Sequence, residues 1–317
     1  MNDAPHNTAE DKLQRLVARA AAAGPALPCA VVHPVDAASL EGAMEAAEAG
    51  LILPILVGPA ARIRSAAAQA GIDLAGALIE DVPHSHAAAE RAVALVREGR
   101  AGALLKGALH TDELMAAVVS REGGLRTERR ISHCFILDVP RYHKPLVVTD
   151  AAINIEPDLE TKADIARNAI DLCRALGIAR PKVAVLAAVE VVTPKQPATL
   201  DAAALSKMAD RGQIEGGIVD GPLAFDNAIS RDAAASKHLE SPVAGDPDIL
   251  LVPDLTAGNM LAKQLQYLAG AESAGLVVGA RVPIALTSRA EGPRARLASC
   301  AVMKLAVGMR VTKHGAD

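Results

Sequence analysis

Three blocks between Gly216 and Arg289 set the reading of the fold: GGIVDGPLAFDNAIS (216–230), SPVAGDPDILLVPDLTAGNMLAKQL (241–265) and GLVVGARVPIALTSRA (275–290). Within them, the apolar runs Ile249–Val252, Leu276–Val278 and Val282–Leu286 each lead straight into Gly, Asp, Asn, Thr or Ser. Short apolar runs closed by turn formers read as buried strands. In an open α/β sheet, binding groups collect just past the carboxyl ends of such strands, where loops and helix N-termini leave backbone N–H groups free. Thr287, Ser288 and Arg289 form the sharpest of these edges, two hydroxyls and a fixed cation directly after an apolar run. A helix N-cap followed by a surface arginine has the same pattern and is the commoner use of it.

Working outward, the first hundred residues alternate helix and strand. Helical patterns cover about 11–23, 37–49, 60–70 and 85–98, with strands at Cys29–His33, near LILPILVG (51–58), at LIED (78–81) and at GALLKG (102–107). Strands separated by helices imply crossover units and a mainly parallel sheet. Thr111 can cap the next helix, with Asp112 and Glu113 where the dipole favours acids. After Gly123 the texture becomes basic and irregular, and CFILDV (134–139) and PLVVTD (145–150) flank PRYHK, which suits a hairpin or an inter-domain connection. Asp158 is a good N-cap for a helix over 159–176, closed by Gly177. Further strands are expected at 183–187 and 217–220, and further helices at 200–210, 258–269 and 295–307.

Composition narrows the possible partners. The 317 residues are 51% hydrophobic, enough for a large core, yet only 1% aromatic with no Trp. The core must therefore be built from Ala, Val, Leu and Ile, and aromatic platforms for single-stranded nucleic acid are nearly lacking. The net charge of −4, with no long basic run, argues further against a polyphosphate backbone as partner. Cys29, Cys134, Cys173 and Cys300 are far apart and show no metal-ligand spacing. The acidic N-terminal sequence lacks an apolar signal core, and the longest apolar segment (51–61) is broken by Pro54, Gly58 and Pro59. A soluble, cytoplasmic protein without a membrane partner is expected.

Neither GxGxxG nor GxxxxGK[ST] occurs, and HExxH and GxSxG are also missing. His84 and His86 would need a third ligand to suggest a metal. What remains is a set of polar residues at expected strand ends: Asp150 and Asn154, Asp220 and Asp226, Asn259 and Lys263, Ser288 and Arg289. Asn259 and Lys263, four apart at the expected start of a helix, would project from one face near its positive end. That arrangement suits an anion site, and equally a capped helix with a solvated lysine.

Residues 106–299 resemble the phosphate acetyl/butyryltransferase family. The likeness is carried by KGALHTDEL, TDAAINIEPDLETKADIARNAIDL, PKVAVLAAVE, RGQIEGGIVDGPLAFDNAIS, SPVAGDPDILLVPDLTAGNMLAKQL and GARVPIALTSRA, in order and without gaps inside the blocks. It is closer to the short, butyryl-like branch than to long acetyl enzymes with extra N-terminal domains. The resemblance implies two three-layer α/β/α domains with a cleft between them, similar to isocitrate and isopropylmalate dehydrogenases. Residues 1–141 plus 288–317 would form the first domain, with the last helix returning to it, and 142–287 a second, dimerising one.

The resemblance further implies conversion of acyl-CoA and phosphate to acyl phosphate and CoA, with the coenzyme A thioester as substrate, no metal and no covalent acyl-enzyme. Ser288 and Arg289 occupy the family's Ser-Arg motif, implying oxyanion or thiolate stabilisation and phosphate binding. Asn259 and Lys263 match its GN…K helix start, and Asp226 in FDNAIS is expected to orient those groups. A second phosphate-clamping arginine would come from Arg126, Arg129 or Arg130, with Arg130 the choice for substrate binding. Where the family pattern runs Ser-Arg-Ala-Asp, this chain has Glu291. Two other readings remain: an NAD(P)-dependent dehydrogenase on the same two-domain fold, for which no cluster of metal-binding acids is evident, and a non-catalytic CoA-binding subunit.

Overall fold

The computed structural model describes residues 11–74, 76–286 and 292–307. Local signals set most element boundaries. Helix α1 (Lys12–Ala22) starts where the Asp11 carboxylate accepts from Gln14 N at 2.9 Å and buries the stripe Leu13, Leu16, Val17 and Ala20. Strands β1 (Leu27–Val32), β2 (Ile52–Gly58), β3 (Leu78–Asp81) and β4 (Ala103–Lys106) alternate with α2 (Ala37–Glu48), α3 (Ala60–Ala70) and α4 (Ser85–Arg97), and α5 (Thr111–Val118) follows. Thr111 is the first helical residue of α5; His110 holds the cap position and no side chain caps the helix. Asp112 and Glu113 do fall in its first turn.

Strands β5 (Ser132–Asp138) and β6 (Leu146–Thr149) form an antiparallel hairpin. There follow α6 (Leu159–Ala175), β7 (Lys182–Leu186), α7 (Pro197–Asp210), β8 (Ile218–Leu223), α8 (Phe225–Ile229), α9 (Arg231–Ser236) and β9 (Ile249–Leu251). Asp158 caps α6 as expected, accepting from Thr161 N at 2.8 Å. The chain continues with α10 (Leu255–Tyr267), β10 (Glu272–Val278), β11 (Ile284–Ala285) and α11 (Pro293–Ala306). The short helices α8 and α9 lack the length over which periodicity can be read. Helix α10 begins three residues earlier than expected, because Asp254 accepts from Ala257 N at 2.9 Å and nucleates the first turn.

Among the described residues, all strands join one sheet in the order β3-β2-β1-β4-β11-β10-β5-β6-β9-β7-β8. Pairing is parallel from β3 to β11 and again from β6 to β8. The three junctions between those groups, β11 to β10, β10 to β5 and β5 to β6, are antiparallel. Three reversals leave the two parallel groups pointing in opposite directions, so their carboxyl ends emerge at opposite edges of the sheet.

One face of the sheet carries a continuous core: α1, α2, α3, α6, α7 and α11 all contribute to a single hydrophobic cluster. The other face is split. Helices α4 and α5 cover β1, β2 and β4 in one cluster, which also takes in Val277 of β10 and Ile284 of β11, while α8 and α10 cover β5 to β8 in another. The seam between the two clusters, a groove in the packing of this face, falls along β11 and β10. The largest fully buried side chains are all Leu or Ile, as a chain so poor in aromatics requires. Polar clamps join the two parts of the sheet. Lys12 forms an ion pair with Asp138 and donates to Val139 O at 3.0 Å, while Arg19 donates to the carbonyls of Leu176 and Ala175 at the end of α6. Helix α11 packs on α1 and α2, and Lys304 ties it to Gly24 O and Gly50 O at 3.1 and 3.0 Å.

Candidate active site

The floor of the groove follows from strand register. Val32 lies opposite Lys106, Leu105 opposite Ala285, and Leu276 opposite Ala285. Continued by one residue, one row on the split face runs Val32, Lys106, Leu286, Gly275 and then Phe135. Gly275 is bare for a reason: a Cβ there would lie 3.0 Å from Leu286 O and 3.2 Å from His133 Nε2. Lys106 is 9% exposed, an unusual burial for an ammonium, and donates to Gly107 O at 3.3 Å. The backbone beyond it is pinned by Gly107 N to Val32 O and Ala108 N to His33 O, both at 2.9 Å. His33 adds a ring contact, its Nδ1 3.1 Å from Ala108 O, and since a carbonyl only accepts, that nitrogen carries the proton.

The opposite wall is α10, which crosses the sheet face from one edge to the other. Near its start Gly258 presses on Asp150 O, and Asn259 Nδ2 donates to Ala151 O at 3.2 Å. Near its end Gln266 Nε2 donates to Ser273 Oγ at 2.6 Å. Lys263 lies between these anchors, half-buried and above His133. His133 is buried, and among the described residues its Nδ1 has no partner. Burial, then the charge of Lys263, brings its pKa down to about 3, so the imidazole is neutral.

Beneath the start of α10, the Asp150 carboxylate organises the turn that α10 touches. It accepts from the backbone N–H of Ala152, Ile153 and Asn154 at 3.0, 3.1 and 3.1 Å, and from Asn154 Nδ2 at 2.6 Å. Burial raises its pKa against those hydrogen bonds. Asp150 and Asn154 are thus a structural turn that supports α10.

The expected site residues do not all converge. Asn259 and Lys263 share one face of α10, but Asn259 is its fifth residue and Lys263 its ninth, so neither sits at the positive end. Asp226 lies in the first turn of α8, beyond the edge strand β8, and its carboxylate pairs with Lys237 at 3.1 Å. That hydrogen bond lowers its pKa, and Asp226 does not orient Lys263. Arg130 is exposed, on the α6 side of β5: its N–H donates to Asp164 at 2.9 Å and its carbonyl accepts from Asn168. Arg129 pairs with Asp171. Ser288, Arg289 and Glu291 lie outside the described residues; β11 ends at Ala285, and the chain leads from the groove floor toward them.

His84 caps α4 by accepting from Ala87 N at 3.1 Å, and His86 pairs with Glu113 at 2.7 Å. All four cysteines are buried and free. Among the described residues no helix is long and apolar enough to cross a membrane. Lys106, His33 and His133 are the groove residues that sequence reading missed. Lys106 opens the KGALHTDEL block that carries the resemblance, but nothing in that block marks it as buried, and solvent exposure is the ordinary fate of a lysine before a strand-end glycine.

Fold and groove together define a class: an α/β protein whose sheet face bears a groove with a lysine on each side, suited to anionic small molecules. The chain belongs to the phosphate acetyl/butaryl transferase family, whose model matches residues 84–303. A phosphate acetyltransferase of Rhizobium meliloti is 61% identical over 299 residues, 94% of each chain. A phosphate butyryltransferase of Clostridium acetobutylicum is 41% identical over 279 residues, 88% of this chain and 93% of that one. The crystal structure of a branched-chain phosphotransacylase from Enterococcus faecalis V583 superposes with a TM-score of 0.78 at 28% identity, covering 89% of this chain and 99% of the other.

Proposed function

We infer that the protein is a phosphate acyltransferase. It joins inorganic phosphate to the acyl group of a short-chain acyl-CoA, giving acyl phosphate and CoA. The observation that carries this is the groove itself, which lies inside the family match and has Lys106 and Lys263 on either side of the floor that leads to Ser288 and Arg289. Acetyl-CoA is the first choice of substrate, supported by the 61% identical relative, with butyryl-CoA the second.

The chemistry asks little beyond positioning and charge. A phosphate oxygen attacks the thioester carbonyl carbon, the carbonyl oxygen takes up negative charge, and the C–S bond breaks as CoA leaves as a thiolate that is then protonated. Holding both substrates in attack geometry removes much of the barrier. Ser288 donates a hydrogen bond to the oxyanion or to the departing thiolate. Arg289 binds phosphate through its planar fork. Lys263 offers a mobile cation at the groove wall, and Asn259 fixes its helix to the Ala151 carbonyl. Arg130 and Asp226 stand outside this group in our reading.

The proposal keeps two α/β/α domains, residues 1–141 plus 288–317 and residues 142–287, arranged as in isocitrate and isopropylmalate dehydrogenases, with β11 of the second range pairing to β4 of the first. A homodimer would form through the second. Exposed Met260, Tyr267 and Leu268 on α10 and exposed Val191 and Val192 support that choice. A cytoplasmic location fits these substrates.

Thiol release from acetyl-CoA and butyryl-CoA, with and without phosphate, tests the assignment. Phosphate-dependent release is expected; release indifferent to phosphate would indicate a thioesterase, and no release with either thioester would refute acyl transfer. Ser288→Ala should lower turnover roughly a hundredfold, as for loss of one oxyanion donor. Arg289→Ala should raise the phosphate requirement sharply.

A further inference from the structure

We propose that Lys106 binds the reacting phosphate directly, from the side of the groove floor opposite Lys263. The proposal rests on the acyltransferase reading and assigns a residue within it.

Three observations converge on Lys106. The first is position. Continued one residue past β11, the register sets it beside Leu286, which precedes Ser288 by two residues in sequence, on the face that bears the groove. The alternation along β4 confirms the face: Leu105 packs in the continuous core, Leu104 in the split one, and Lys106 shares the side of Leu104. The second is burial. At 9% exposure the ammonium stands where the dielectric is low and its attraction for a dianion exceeds that of a surface lysine. A buried position of this kind suits a small tetrahedral anion better than the bulky nucleotide end of CoA, and Lys263 is the more exposed of the two lysines. The third is rigidity. Gly107 N to Val32 O, Ala108 N to His33 O and the His33 ring to Ala108 O fix the strand end that carries Lys106. Gly107 belongs to this device, since a Cβ there would fall 2.5 Å from Val32 O.

Lys106 acts as a fixed point charge. In this role it aligns phosphate beside the reacting carbonyl and balances charge that passes from phosphate to the departing thiolate.

The test uses the full chain with Lys106→Gln and Lys106→Arg. Initial rates are measured with phosphate varied at saturating acetyl-CoA, and the reverse, alongside thermal melts with and without inorganic phosphate. Loss of one charge-assisted contact should raise the KM for phosphate about tenfold or more in Lys106→Gln. The KM for acetyl-CoA should stay within about twofold of wild type, and Lys106→Arg should recover part of the loss. Phosphate should raise the melting temperature of the wild-type protein by mass action and leave that of Lys106→Gln nearly unmoved.

An unchanged phosphate KM in Lys106→Gln overturns the proposal, as does a rise confined to acetyl-CoA or a phosphate-induced melting shift that survives the substitution. If Lys106→Gln does not fold, Lys106→Arg decides alone: wild-type KM values for both substrates and an undiminished phosphate shift overturn the proposal. Wild-type protein without phosphate-dependent thiol release refutes acyl transfer, and the melting shifts then judge Lys106 independently. Absence of any phosphate shift in that inactive wild type overturns the Lys106 site as well.

Discussion

Gly258→Ala, compared with Gly42→Ala, separates local propensity from packing in one experiment. Both glycines are inside helices, α10 and α2, where alanine is favoured by about 1 kcal/mol. On propensity alone both substitutions stabilise. Their surroundings differ. A Cβ at Gly258 would lie 2.6 Å from Val252 Cγ2, 2.9 Å from Asp150 O and 3.1 Å from Ala151 Cβ. The Asp150 carbonyl cannot retreat, because that residue's own carboxylate binds three successive backbone N–H groups. Helix α10 must lift instead, at about 1–3 kcal/mol for overpacking. The lift also stretches the 3.2 Å Asn259 to Ala151 hydrogen bond, worth about 1 kcal/mol. Set against the propensity gain, the net is a loss of about 1–3 kcal/mol, or roughly 2–5 °C in Tm for a protein of this size. At Gly42 the nearest atoms to the new Cβ all belong to the Arg296 side chain, Cδ at 3.0 Å, a flexible stem that yields more readily than a backbone carbonyl. Gly42→Ala should therefore hold or raise Tm by about one or two degrees. Calorimetric melts of the two purified variants decide the matter, and a Gly258→Ala protein at or above wild-type Tm would refute the argument. Because the lift carries Lys263, Gly258→Ala should also weaken substrate binding while Gly42→Ala leaves it intact.

Lys12→Ala leaves the partly buried Asp138 carboxylate with only the residue-12 backbone N–H and should destabilise by about 2–4 kcal/mol; Lys12→Ala with Asp138→Ala should recover part of this, both read from urea unfolding. Asp246 carries an acid-sensitive contribution. Burial opposes its ionisation, but hydrogen bonds and charge from Lys182 and Lys144 outweigh that and lower its pKa from 3.8 to about 2. A carboxylate whose folded pKa is lowered contributes fully above its unfolded value. About 2 kcal/mol of stability should therefore be present above pH 4 and be lost as pH falls toward 2. Asp246→Asn should destabilise at neutral pH and flatten that acid limb; a curve parallel to wild type between pH 4 and 2 would contradict the assignment.

Most elements were legible because their signals are local. Asp158 caps α6 as its position suggests, the 60–70 helix and the 78–81 strand match residue for residue, and the PRYHK segment turns a hairpin. Family membership was legible too, because long ordered blocks of residues carry it. The grouping of strand-end residues was not. Asp150, Asp226 and Ser288 look alike in sequence, each a polar residue after an apolar run. The three antiparallel junctions send the first two to one edge of the sheet and β11 to the other. Asp226 is drawn to Lys237, eleven residues on, and Lys263 enters the groove only because α10 spans the sheet between its anchors at Ala151 and Ser273.

Lys106 makes the division plainest. In GALLKG it reads only as part of a strand closed by glycine, and it is the register against β1, continued past β11, that sets it in the groove floor. Helix periods, caps and turns are set by neighbours within a few residues, so the sequence by itself determined the elements and the family. Strand direction, register and the convergence of charges depend on pairings between residues up to nearly two hundred positions apart, and only the tertiary structure decided those.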